Sequence, residues 1–242
     1  MKLKKTVFYV AIIFFVIFIY KEFKTEKLNY IAFGDSITES RNPYNYIQYG
    51  YTNYIVDYLK NRNKLNNYYN FSNTSYTIQN LIDDIENNKS VSLNGKRESI
   101  NRNLRESDLV TINIGMVDIS QILLKYFDNR DYDNLYLESN ILLRRIVDMI
   151  VSVKKYAKNS IIAIGFFNPF QDSFYKENID KIILHINEKY KAMCADNNII
   201  YIEIFDIFDK NAQYLPNKNS INFNETAHKK IFERIRNKID KV

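Results

Sequence analysis

The chain has 242 residues, 46% of them hydrophobic, which suffices for one globular domain with a sizeable core. Its one cysteine, Cys194, excludes an intramolecular disulfide and a cysteine-cluster metal site, and within "INEKYKAMCAD" it reads as a small buried apolar residue. Of the net charge of +6, residues 1–27 carry +4 through six lysines against Glu22 and Glu26, so the remainder shows no concentrated basic patch and nucleic-acid binding is disfavoured.

The chain opens on "MKLKK", followed by the apolar run "TVFYVAIIFFVIFIY" from Thr6 to Tyr20. A cationic start and an apolar stretch of this length predict a signal anchor or a secretory leader. The run is apolar all round, unlike a surface helix. No small-x-small cleavage site follows it, which favours an uncleaved membrane helix with its leading lysines in the cytoplasm. Residues 1–27 then form an anchor and short charged stalk. Residues 28–242 form a domain on the extracytoplasmic side of the cell membrane.

From Leu28 onward, apolar β-rich runs alternate with helical patterns. Strands are predicted over Tyr30–Phe33, Tyr68–Phe71, Leu109–Ile114, Ile161–Phe166 and Ile199–Ile204. They are nearly continuous apolar runs, as expected for strands covered on both faces. Helices are predicted near Ile47–Arg62, Ile78–Asn87, Leu137–Lys158, Ile179–Asp196 and Glu225–Ile239. This alternation predicts a doubly wound parallel sheet with helices on both sides and a ligand site beyond the strand carboxyl ends. "GDS" ends the first strand and "IGMVD", Ile114 to Asp118, ends the third, so both are placed to face one site. No Gly-rich phosphate loop, metalloprotease motif or Cys/His cluster is present, and neither a metal nor a cofactor is expected.

The stretches "IAFGDSIT", "ESDLVTINIGMVDI", "YAKNSIIAIGFFNPF" and "INFNETAHKKIFERI" together resemble the SGNH (GDSL) hydrolases over nearly all of residues 29–241. The resemblance implies a flavodoxin-like three-layer α/β/α sandwich. It also implies an esterase or acylhydrolase acting on acyl or acetyl groups of lipids or surface glycans. Family chemistry uses a serine nucleophile, a histidine base oriented by an aspartate, and oxyanion donors from the serine N–H, a glycine N–H and an asparagine side chain.

Carried over by position, Ser36 takes the nucleophile's place. The family glycine falls on Ser75 in "NTSYTI", and the asparagine falls on Val117 in "GMVD", where there is no donor. The histidine falls on Asn222, and the aspartate on Asn219 or Ser220. An amide takes up no proton near neutral pH. The resemblance therefore implies an esterase lineage with weak or lost activity, or a pseudoenzyme whose cleft serves binding or partner docking. His228, three residues after Glu225, is the alternative base in a shifted Asp-x-x-His pattern. His185 lies mid-helix and reads as structural. Asp35 and Asp118 read as residues that fix turns and helix starts. Asp206 and Asp209 follow the last strand.

Overall fold

The computed structural model describes residues 27–93, 95–127, 132–209 and 211–240. The expected membrane anchor lies outside these residues. No helix among the described residues is long and apolar enough to cross a membrane.

The first strand, β1 (Leu28–Gly34), is buried from Tyr30 onward, which explains why its apolar run does not alternate. It pairs in parallel with β2 (Leu65–Ser72) on one side and β5 (Leu109–Asn113) on the other. β6 (Ser160–Ile164) and β7 (Ile200–Ile202) continue the sheet in parallel, giving the order β2-β1-β5-β6-β7. Between β2 and β5 the chain makes a separate antiparallel hairpin of β3 (Ser90–Leu93) and β4 (Lys96–Ser99), which the sequence reading missed.

Eight helices are described: α1 (Tyr51–Asn61), α2 (Ile78–Glu86), α3 (Ile100–Glu106), α4 (Met116–Phe127), α5 (Tyr132–Lys154), α6 (Lys176–Asp196), α7 (Phe205–Phe208) and α8 (Glu225–Ile239). Three of these, α3, α4 and the short α7, have no counterpart in the predicted elements. The first helix starts at Tyr51 rather than Ile47. Residues 41–47 close a loop through a bridge between Arg41 and Ile47, and Gly50 takes the extended N-cap position.

The chain leaves β1 in one direction for β2 and crosses back over β1 to reach β5. Right-handed crossovers therefore put α1 and α8 on one face and the α2–α5–α6 group on the other. The apolar stripe of α8, Ile231, Ile235 and Ile239, is fully sequestered. Each such isoleucine contributes roughly 1.5–3 kcal/mol by burial. Outside that stripe, Phe232 stacks on Tyr54 and meets Tyr58 edge-on, locking α8 to α1. The strand order reverses between β1 and β5, and a doubly wound sheet opens its ligand crevice at such a point.

Candidate active site

Ser36 follows β1 at this reversal. The turn holding it is closed by N–H groups of Glu39, Ser40 and Arg41, which donate to the carbonyls of Asp35, Ile37 and Ser36. Asp35 Oδ1 accepts the Ile37 N–H at 3.0 Å. Thr38 Oγ1 donates to the Asn113 carbonyl at 3.2 Å and pairs with the Tyr51 hydroxyl at 2.9 Å, tying the turn to β5 and α1. Gly34 is required for this approach, because a Cβ there would stand 2.0 Å from Thr38 Oγ1 and 2.3 Å from the Asn113 carbonyl oxygen.

The loop before α8 brings the second residue. Phe223 is wholly buried among Phe167, Phe208 and His228 and pins the loop. Its carbonyl accepts from Gln48 Nε2 at 2.7 Å. Asn224 caps α8, its side chain accepting the Ala227 N–H. Asn222, one residue before the pin, is thereby turned inward. Ser36 Oγ donates to Asn222 Oδ1 at 2.6 Å, across 186 residues of sequence.

The two residues open onto a cleft of about 740 Å³. Its wall also includes Thr74, Ser120, Asn219 and Ser220, and the tyrosines Tyr44 and Tyr46 stand at the rim, 61% and 71% exposed. No charged side chain lines it among the described residues. Arg41 forks onto Glu39 at 3.0 Å and Thr74 also donates to Glu39, so the nearby charges neutralise one another and brace the rim loop.

Both positions considered for the orienting carboxylate line the cleft. Ser220 Oγ accepts the backbone N–H of Asn222 at 3.1 Å, while Asn219 is exposed and its own N–H donates to Asn217 Oδ1. Ser75 does not line the cleft; its neighbour Thr74 does. The Ser75 N–H donates to Asn73 Oδ1 at 3.4 Å, and its φ is not positive, so its Cβ imposes no strain. Val117 does not line the cleft either. It stands in the first turn of α4 and offers its carbonyl to Ser120 Oγ at 2.9 Å. The turn before it is made by Gly115, at φ 113°.

His228 is wholly buried behind Phe223. Its Nδ1 accepts the Tyr51 N–H at 3.2 Å, its Nε2 has no partner among the described residues, and burial pushes its pKa down to about 3. An imidazole so placed is packing and a backbone acceptor, so the shifted pairing with Glu225 is not formed; Glu225 instead accepts from Tyr54 at 3.0 Å. His185 lies on α6 against Tyr136. Asp118 accepts the Ile78 N–H at 3.0 Å, and burial raises its pKa. Asp35 is raised by burial to about 7. Asp206 and Asp209 are engaged by Arg234 and Lys176 and do not line the cleft. Burial pushes the Cys194 thiol up to about 12, leaving it inert.

The sequence reading found Ser36 and Asn222 but not Thr74, Ser120, Tyr44 or Tyr46. The one signal for the tyrosines was their density in the short loop "RNPYNYIQYGY". Chemically, Ser36 has a hydroxyl held by an amide oxygen and a main-chain N–H without an acceptor among the described residues. That is an attacking atom and one oxyanion donor, with no proton acceptor in contact.

A parallel sheet with a cleft lined by Ser36 at its point of strand reversal defines a doubly wound α/β protein. The chain belongs to the GDSL-like lipase/acylhydrolase family, whose model matches residues 32–230. Among solved structures, it is similar to a lipase from a goat rumen metagenome, with 18% identity and a TM-score of 0.71 over 87% of this chain and 97% of that one. It is also similar to an acetylxylan esterase from Geobacillus stearothermophilus, with 15% identity and a TM-score of 0.64 over 89% and 96%. Forms of that esterase altered at a serine, an aspartate and a histidine are described as catalytic mutants. No curated protein matches the sequence.

Proposed function

We propose that this protein is a membrane-tethered, extracytoplasmic member of its family whose cleft binds an acylated or acetylated ligand of lipid or surface-glycan chemistry and turns it over slowly or not at all. The supporting observation is the 2.6 Å bond from Ser36 Oγ to Asn222 Oδ1, with the one buried imidazole nearby, His228, shut behind Phe223. Attack by Ser36 needs its proton to leave as the carbonyl carbon is approached. An amide oxygen accepts the hydrogen bond but not the proton. Removing the base of a serine hydrolase lowers turnover by about 10⁴–10⁶, and lacking one oxyanion donor costs about 10²–10³ in turnover. In the limit the protein is a pseudoenzyme, a ligand-binding or partner-docking module. The uncharged lining and exposed rim tyrosines favour a neutral ligand with a face to stack on.

The test is hydrolysis of p-nitrophenyl acetate by the detergent-solubilised full chain beside Ser36→Ala. Equal rates are expected. The combined variant Asn222→His, Asn219→Asp is expected to gain a rate that Ser36→Ala abolishes. A wild-type rate far above Ser36→Ala would overturn the loss of turnover.

A further inference from the structure

We propose that the end of the domain formed by the strand amino termini docks on an anionic lipid surface and holds the cleft away from the bilayer. This rests on the membrane-tether part of the function proposed above. Several elements meet at that end. The Leu28 N–H donates to the Lys64 carbonyl at 2.6 Å, joining the start of β1 to the residue before β2. The Asn29 N–H donates to Asp108 Oδ2 at 2.8 Å, and Asn159 Nδ2 donates to the Ser107 carbonyl at 2.9 Å, bringing in the starts of β5 and β6. Arg62 Nη1 reaches Asp240 at 2.8 Å, adding the ends of α1 and α8.

Helices between parallel strands run back along the sheet, so their carboxyl ends collect here, where helix dipoles favour cations. Cations dispersed in the sequence consequently converge in space. Lys60 and Arg62 end α1, Arg105 lies in the last turn of α3, Lys154 and Lys158 end α5 or follow it, and Lys238 lies in the last turn of α8; all are exposed. Two helices depart from this pattern, α2 ending on exposed Glu86 and α6 on exposed Asp196 with no basic residue in either last turn. Glu106 is also exposed, and Asp240 pairs with Arg62, so among the described residues the unpaired excess rests on Lys60, Arg105, Lys154, Lys158 and Lys238. The sequence holds no continuous basic run in this domain, and these cations are brought to one end only by the course of the helices.

The apolar run Thr6–Tyr20 is joined to this same end by Lys21–Lys27. Seven residues reach at most about 25 Å. Ser36 lies at the opposite end of β1, about 20 Å along a strand of this length. The tethered end carries the positive field and the far end carries an uncharged cleft, so the cleft takes its ligand from the side away from the tethering bilayer.

The test uses the full chain in vesicles of phosphatidylcholine, with and without phosphatidylglycerol. Cys194 is fully buried, so a fluorophore can be placed selectively at Asn61→Cys on the basic end or Lys218→Cys beside the cleft. Quenching by headgroup-nitroxide lipid is expected to rise at position 61, not at 218, when phosphatidylglycerol is present. The combined variant Lys60→Glu, Lys154→Glu, Lys238→Glu should reverse it, each reversal weakening docking by about fivefold or more. Equal quenching at both positions, or indifference to phosphatidylglycerol and to charge reversal, overturns the proposal. Flotation with phosphatidylcholine alone reads the tether separately. Should the chain not float there, phosphatidylglycerol vesicles must still capture it with quenching at 61, and failure of that capture also overturns the proposal.

Discussion

Two buried titrating residues flank the site, and their effects on stability oppose each other. Burial lifts Asp35 from 3.8 to about 7, so between those values the folded chain keeps a proton that the unfolded chain releases. The stability this contributes is full below about pH 3.8 and is lost as pH rises to about 7. Burial lowers His228 from 6.5 to about 3, so its contribution is full above 6.5 and is lost as pH falls to about 3. Each change is on the order of 4 kcal/mol. The two slopes oppose each other through most of the acidic range, with Asp118, also raised by burial, acting in the same sense as Asp35. Thermal melts of the wild type are expected to be comparatively level between about pH 4 and 6.5. Asp35→Asn should lose stability on acidification there, and His228→Gln should lose it on alkalinisation. Level profiles in both variants would show that neither group titrates as its burial requires.

Among the elements, the turn after β1 and the loop before α8 carry the site, and each depends on a small local device. Gly34→Ala puts a methyl into Thr38 and the Asn113 carbonyl, and is expected to cost about 1–3 kcal/mol in urea unfolding as the turn shifts. Asn224→Ala removes the α8 cap and is expected to cost about 1 kcal/mol. The inner strands β1, β5 and β6 were legible because parallel strands buried on both faces read as unbroken apolar runs, whereas the edge strands β2 and β7 are mostly half-buried and were located from the short runs Tyr68–Phe71 and Ile199–Ile204. The hairpin of β3 and β4 was not, since "SVSL" and "KRES" are short and polar and lie outside the sheet. The helix α4 was missed because "MVDISQILLKYF" continues the apolar text of β5, and one glycine at φ 113° is the only punctuation. For the site, Ser36 and Asn222 could be read because the motif fixes their distance from β1 and α8. At the position matched to the family glycine, Ser75, it is the neighbouring Thr74 whose side chain lines the cleft, a one-residue difference that spacing in a turn does not resolve. Ser120, Tyr44 and Tyr46 reach the cleft from elements with no spacing rule linking them.

The whole molecule is polarised along its strands. One end gathers helix carboxyl termini, exposed cations and the entry of the chain; the other gathers the serine, the amide and the hydroxyl groups of the cleft. A doubly wound topology produces this separation without any run of charge in the sequence, because side chains tens of residues apart share the same helix-to-strand connection. That explains why the charge pattern could be read only from the fold.

The neutrality of the cleft wall has an experimental consequence. Counterions screen fields between exposed charges, with a reach of about 8 Å at physiological ionic strength, but a contact made by hydroxyls, amides and aromatic rings is nearly blind to them. Titrating sodium chloride into one sample should therefore leave occupancy of the crevice unchanged while surface attachment weakens, so a single salt series reports on both events independently.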